Sequence, residues 1–341
     1  MSEHEQNKSG LDRRELLAYS AAFGSAFIAS QGLGRVEAGE AAATGGQPVN
    51  NGKQYDMKKS INLWALPYPD RMSLREALQI CADAGMEGVE VNYDLENDLS
   101  PEASDQDIRA VGRMARDMGL EIAGVCSFLF WPYAFTADSR ERRERGVDLA
   151  KKMIHAAALL ETENLLIVPG ATWIPWMREL PPVPHDVAEA RAHAAMEQLV
   201  PLAEDAGVNL NVENIFSNGF LHSPQEMIRF VDAYTSDRVA VHFDTGNIMQ
   251  YHFPEHWIAM LGSRIKHVHM REASRDVVQF DLDTVRPLLD GHVNWPAVME
   301  ELDQAGYRGY LSFEYFNPFP HHPEVLVYQT SMALDKILGR T

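Results

Sequence analysis

Four residues at the ends of apolar runs could carry the chemistry of this sequence. They are Glu213 in Asn211-Val212-Glu213-Asn214, Asp244 in His242-Phe243-Asp244-Thr245-Gly246-Asn247, His269 in His267-Val268-His269-Met270, and Glu314 in Ser312-Phe313-Glu314-Tyr315. An ionisable side chain inside a buried segment is costly unless it is paired or metal-bound. One such Glu is ordinarily a core ion pair, and one such His a satisfied core group. Four in successive runs argue against that. Three carboxylates and one imidazole suit a single hard-to-borderline divalent cation: Mn2+, Mg2+, Co2+ or Zn2+. Side chains alternate faces along a strand, so His267 and His269 share a face. His269 lies nearer the strand end and is the ligand candidate. His267 stands behind it as a supporting group.

Those runs belong to a longer repeat. Short apolar segments at Ile61–Leu66, Gly88–Asn92, Glu121–Ser127, Asn164–Pro169, Val208–Glu213, Val239–Asp244, Ile265–His269 and Tyr310–Tyr315 read as strands. Helical patterns fall between them at Leu74–Ala84, Asp105–Met118, Arg140–Leu160, Val187–Ala206, Pro224–Tyr234, Glu255–Leu261 and Trp295–Ala305. Buried strands alternating with helices predict a parallel sheet. Eight such units in this length predict an α/β fold, a (β/α)8 TIM barrel in one domain over residues 57–341. Gly85, Gly119, Gly207 and Gly306 each stand where a helix must end in a left-handed residue before the next strand. An open doubly wound sheet fits less well, because no Gly-rich phosphate loop follows the first strand. Barrel enzymes work at the C-terminal ends of their strands, where the four ligand candidates lie. Their spacings of 31, 25 and 45 residues correspond to one strand-helix unit per step, with a longer loop before the last.

Ahead of the barrel, Arg13-Arg14 precedes a weakly apolar stretch rich in Ala, Gly and Ser. Residues 1–43 resemble a twin-arginine export signal, and residues 44–56 read as a flexible spacer. The expected location is therefore exported, periplasmic, without a stable membrane anchor. The 341 residues carry 30 Lys and Arg against 49 Asp and Glu, a formal net charge of −19. That balance opposes binding to a phosphate backbone and disfavours nucleic acid as a partner. The two cysteines, Cys81 and Cys126, fall in separate elements without metal-ligand spacing and read as buried free thiols.

The segments Val212-Glu213-Asn214, Phe243-Asp244-Thr245-Gly246-Asn247, Ile265-Lys266-His267-Val268-His269 and Leu311-Ser312-Phe313-Glu314 resemble the xylose-isomerase-like TIM-barrel superfamily of sugar phosphate isomerases and epimerases. Gly88-Val89-Glu90 and Val293-Asn294-Trp295 add to the resemblance, which spans roughly residues 57–338. It implies one divalent metal held by Glu213, Asp244, His269 and Glu314. In its ketose 3-epimerase branch it also implies that Glu213 and Glu314 serve as acid and base. Asn247 departs from that branch, which has His three residues after the metal-binding Asp. Arg275 corresponds to the branch's Arg six residues beyond the metal-binding His and is a substrate-binding candidate, with Asn247 and Glu272.

Aromatic residues Trp64, Phe128, Trp131, Trp173, Trp176, Phe316 and Phe319 fall in loops that should overhang the site, with Trp64 and Trp131 as candidate sugar contacts. The expected partner is a small carbohydrate, and self-association into a homo-oligomer is in keeping with such barrels. The same chemistry has an alternative outcome, a lyase or dehydratase acting on a 3-keto-glycoside or keto-inositol. An endonuclease of the related zinc-cluster type would need a His where Asn247 stands. A non-catalytic sugar-binding barrel would not need the full ligand set.

Overall fold

The computed structural model describes residues 52–216, 218–275 and 285–340. The twin-arginine reading of residues 1–43 and most of the spacer lie outside them. Among the described residues, no helix is long and apolar enough to cross a membrane.

Eight parallel strands close into a barrel: β1 Lys58–Asn62, β2 Gly88–Asn92, β3 Glu121–Cys126, β4 Asn164–Ile167, β5 Asn209–Glu213, β6 Val239–Asp244, β7 Ile265–Met270 and β8 Tyr310–Phe313. Pairing of β8 with β1 completes the ring, with Ser60 opposite Ser312. The helices among the described residues are α1 Leu74–Asp83, α2 Asp105–Asp117, α3 Arg140–Leu160, α4 His185–Ala206, α5 Pro224–Asp232, α6 Pro254–Leu261, α7 Trp295–Gln304 and α8 Glu324–Leu338. One follows each strand, as a (β/α)8 barrel requires. Gly85, Gly119, Gly207 and Gly306 all have positive φ, between 69° and 81°.

Two elements depart from the patterning. β1 begins three residues earlier than its apolar run, at Lys58. The hydrocarbon stem of Lys59 is buried while its Nζ reaches Asp335 Oδ1 at 2.8 Å and Ser331 Oγ at 2.9 Å on α8. A lysine that snorkels to a partner helix hides a strand from hydropathy. The strand ends at Asn62, whose Oδ1 accepts from Trp64 N at 2.9 Å and turns the chain into one 3-10 turn, Leu63–Ala65. Helix α8 is not singled out by apolar spacing. Val325, Tyr328 and Met332 are exposed on it and blur the division between its faces.

Apolar packing lies between the sheet and the helices, where Val89, Val125, Leu165, Leu210 and Val241 meet Met153, Met196 and Leu199. The barrel axis is polar. Alternation along β5 turns Leu210 and Val212 outward and Asn211 and Glu213 inward. The same alternation lines the axis with Ser60, Asn62, Glu90, His242, Asp244, His267, His269 and Ser312, all buried. Cys81 and Cys126 are buried free thiols.

Candidate metal centre

Glu213 and Asp244 are the last residues of β5 and β6, His269 is the penultimate residue of β7, and Glu314 follows β8 directly. Asp244 and His269 are paired across the β6–β7 register. One ligand atom from each of the four residues lies within 4.8 Å of the others, and all four side chains are buried.

The hydrogen bonds decide which atoms face inward. His269 Nε2 bonds Glu90 Oε2 at 2.6 Å. That leaves Nδ1 toward the carboxylates, 3.4 Å from Glu314 Oε1, 3.6 Å from Glu213 Oε1 and 4.0 Å from Asp244 Oδ2. A carboxylate that takes one ring nitrogen fixes the tautomer and frees the other nitrogen as a ligand. Asp244 is divided in the same way. Its Oδ1 accepts from the amides of Gly246 and Asn247, both at 2.7 Å. Its Oδ2 is buried without a hydrogen-bond partner, as is His269 Nδ1. Buried polar atoms are normally satisfied, so two orphans inside one carboxylate cluster call for a missing partner. A divalent cation fits both the orphans and the donor chemistry of one imidazole and three carboxylates.

Electrostatics point the same way. Burial raises the Glu213 carboxyl above its ordinary range, and neighbouring Asp244 raises it further. Burial also pushes Glu314 up, to about 8, although Arg271 and His269 oppose this. Burial disfavours a charged His269, yet the surrounding carboxylates of Glu90 and Glu314 outweigh it and hold the imidazole well above its usual range.

Sequence reasoning used Glu90 only as part of a family motif. In the structure it is the residue that orients His269. Burial alone would raise its carboxyl, but His269 and His267 bring it down to about 2. Asn62 Nδ2 donates to Glu90 Oε2 at 2.6 Å, and Asn92 Nδ2 donates to Asn62 Oδ1 at 3.1 Å. His267 lies deeper on the axis, with Nε2 2.8 Å from Ser312 Oγ and 3.6 Å from Glu90 Oε1. Burial lowers it to about 4, so it is neutral at physiological pH. The signal for Glu90 was present: an ionisable residue in the fully buried strand Gly-Val-Glu-Val-Asn.

Arg271, one residue past β7, was also missed, because a residue just beyond a strand end reads as loop. It is 1% exposed. Its Nη2 pairs with Glu314, its Nε lies 3.5 Å from Asp244 Oδ2, and its Nη1 donates to Asn247 Oδ1. Asn247 in turn points Nδ2 at Asn214 O, 3.1 Å away, and at Glu213 Oε1, 3.4 Å away. Asn247 is therefore part of the centre.

Two other candidates have different work. The Arg275 guanidinium donates to His252 O and rests over the Phe253 ring at 4.3 Å, so it braces the loop between β6 and α6. Glu272 is turned toward the segment before α7. Its carboxylate accepts from the amides of Ala273, Leu289 and Val293 and from Trp295 Nε1. Trp64 packs with Phe128 and Phe316, and Phe316 lies under Arg271 at 4.9 Å. Trp131 packs with Trp176 and Phe216. Trp64 and Trp131 are only 6% and 7% exposed, so they act first as packing for these clusters.

A family model described as "Xylose isomerase-like TIM barrel" matches residues 78–335. An L-ribulose 3-epimerase of Mesorhizobium japonicum is 24% identical over 259 residues, which cover 72% of this chain and 76% of the relative. Among solved structures, D-psicose 3-epimerase in the presence of D-fructose aligns with a TM-score of 0.70 at 18% identity, covering 83% of this chain and 100% of that one. A 3-keto-D-glucoside 4-epimerase from E. coli aligns with a TM-score of 0.64 at 15% identity, covering 82% and 98%. At these identities the structural likenesses carry the barrel fold.

Proposed function

The chain belongs to the xylose isomerase-like TIM barrel family, and from that premise we propose that it is a divalent-metal-dependent sugar isomerase or epimerase. The observation that carries this reading is the convergence of Glu213, Asp244, His269 and Glu314 within 4.8 Å on four consecutive strand ends. Those four residues would hold the cation. When bound, it would draw charge from a substrate carbonyl and stabilise the negative oxygen that develops as the adjacent carbon loses its proton.

The remaining chemistry belongs to this chain's side chains. Glu213 and Glu314 enter from β5 and from the end of β8, and both approach His269 Nδ1, at 3.6 and 3.4 Å. One carboxylate takes the proton from carbon and the other carboxyl returns one to the opposite face, which inverts the centre. Burial raises both carboxyls, so each holds a proton nearer neutral pH than an ordinary Glu does. Their titrations belong to the pair rather than to either residue. The names of the relatives, L-ribulose 3-epimerase and D-psicose 3-epimerase, support ketoses as the substrate class. Export by residues 1–43 would place this activity in the periplasm. Replacing Arg13 and Arg14 by Lys should then retain the protein in the cytoplasm on cell fractionation.

The test is metal-loaded protein incubated in D2O with L-ribulose and D-fructose, then with 3-keto-glucosides. Deuterium at an α-carbon of an otherwise intact sugar supports the reading. Release of the aglycone from a 3-keto-glucoside would instead assign elimination.

A further inference from the structure

The geometry points to Arg271 as a positioning residue that fixes the Glu314 carboxylate in the metal centre and, through Asn247, ties it to Glu213. The inference rests on reading Glu213 and Glu314 as acid and base, whatever sugar they act upon.

Burying a guanidinium is expensive unless every nitrogen is matched. Here the two terminal nitrogens are engaged, Nη2 with Glu314 and Nη1 with Asn247, and Nε lies within ion-pair distance of Asp244, 3.5 Å from Oδ2. With Oε2 of Glu314 taken by the guanidinium, Oε1 is the oxygen left facing His269 Nδ1. Asn247 continues the connection, since its Nδ2 is 3.4 Å from Glu213 Oε1. One continuous path of polar contacts therefore runs from Glu314 through Arg271 and Asn247 to Glu213.

The socket for this arginine is built from three consecutive residues after β6, each holding a different part of it. Thr245 holds the backbone: Arg271 N donates to Thr245 Oγ1 at 2.9 Å, and Thr245 Oγ1 donates to Arg271 O at 2.7 Å. Gly246 makes room for the stem, because a Cβ there would lie 2.6 Å from Arg271 Cγ and 2.8 Å from Cδ. Asn247 receives the guanidinium. The Phe316 ring closes the remaining side. A lysine would keep the charge but could not hold Glu314, Asp244 and Asn247 at once, because it lacks the planar fork.

Charge and position make separate predictions. A cation beside three carboxylates opposes a second cation, so removing Arg271 should strengthen metal binding while leaving Glu314 free to move. The test compares wild type with Arg271→Met, Arg271→Lys and Gly246→Ala. Mn2+ affinity is measured by calorimetry, Mn2+ coordination by its EPR spectrum, and turnover by solvent deuterium incorporation, resolved into kcat and KM. Arg271→Met should bind Mn2+ several-fold more tightly with an altered EPR spectrum. Its kcat should fall by about 100-fold, the scale of a displaced catalytic group, with KM little changed. Arg271→Lys should return Mn2+ affinity to the wild-type value yet leave kcat low. Gly246→Ala should lower kcat by displacing the stem.

Full turnover in Arg271→Lys would overturn the proposal, since charge alone would then suffice. So would a wild-type EPR spectrum in Arg271→Met. Loss of Mn2+ binding together with thermal stability in that variant would make Arg271 a strut of the fold. If Arg271→Met does not fold, the Lys and Gly246→Ala variants decide by the same measurements. If the wild type turns over no sugar, the functional reading fails separately, and Mn2+ affinity with EPR still decides the role of Arg271.

Discussion

The two halves of the barrel contribute differently to the candidate metal centre. Strands β5 to β8 present charge: Glu213, Asp244, His269 and Glu314, with Arg271 set against them. Strands β1 to β3 present mostly neutral hydrogen-bonding groups: Asn62, Asn92 and the Cys126 thiol, which accepts from both asparagines at 3.1 and 3.0 Å. Burial pushes that thiol well above its ordinary range, and nearby Glu90 adds to the effect. Cys126 therefore stays protonated and inert. Glu90, the acid that this half turns toward the barrel axis, meets the centre through the far nitrogen of His269. One half supplies the candidate ligands, and the other orients the imidazole among them. Substitutions should separate these roles.

The largest effect should come from the binding half. Glu213→Gln keeps the volume and a possible metal contact but removes the group that exchanges a proton with carbon. Loss of an acid-base residue typically costs about 10²–10⁴-fold, and the deuterium incorporation assay should fall by that much. Full retained activity would remove Glu213 from the mechanism and collapse the contrast between the halves.

Metal removal tests the same half as a whole. Chelation should lower the melting temperature by several degrees, and added Mn2+ should restore it. A ligand at 100 times its Kd stabilises by about 2.7 kcal/mol. Calorimetric scans that are identical with and without chelator would argue that the four side chains hold no ion.

The supporting half should answer more mildly. Glu90→Gln replaces the carboxylate that orients His269 with an amide of the same shape. Outer partners of this kind are typically worth about 10–100-fold in metal affinity. We expect a loss of that size in Mn2+ titrations, with the fold intact by circular dichroism. An effect as large as that of Glu213→Gln on turnover, with Mn2+ affinity unchanged, would mean that Glu90 acts directly in the chemistry.

The same division governs what could be read from the chain. The barrel was legible because its outward strand faces are apolar and its helix ends carry glycines at positive φ. The convergence of the four candidate ligands was legible because a carboxylate or imidazole at the end of a buried strand is costly without a partner, and four of them recur at successive strand ends. Glu90 satisfies that rule, yet it gains its meaning from His269, 179 residues later in the chain, and only barrel closure brings the two together. Arg271 and Arg275 show the opposite limit. They have the same chemistry and lie four residues apart, but Gly246 opens a socket for one while Phe253 and His252 hold the other against the loop between β6 and α6. Spacing cannot distinguish them, because the difference is made by residues on a neighbouring strand end.

Glu272 probes the division from inside the binding half. It is a buried acid three residues from His269, but its four donors belong to the rim of the barrel. Glu272→Gln turns an amide nitrogen toward some of those donors. It should cost about 1–3 kcal/mol, the penalty for buried groups left unpaired, with Mn2+ affinity unchanged. Burial outweighs the donors and raises this carboxyl above its ordinary value. The folded state therefore takes up the proton more readily than the unfolded chain does. Its stabilising contribution is complete below the unfolded value of about 4.3 and declines as pH rises through the higher folded value. Denaturant titrations should accordingly show wild type and Glu272→Gln furthest apart in acid and closer together toward neutrality. A gap that widens with pH would mean that the ionised carboxylate is the form the rim was built to hold.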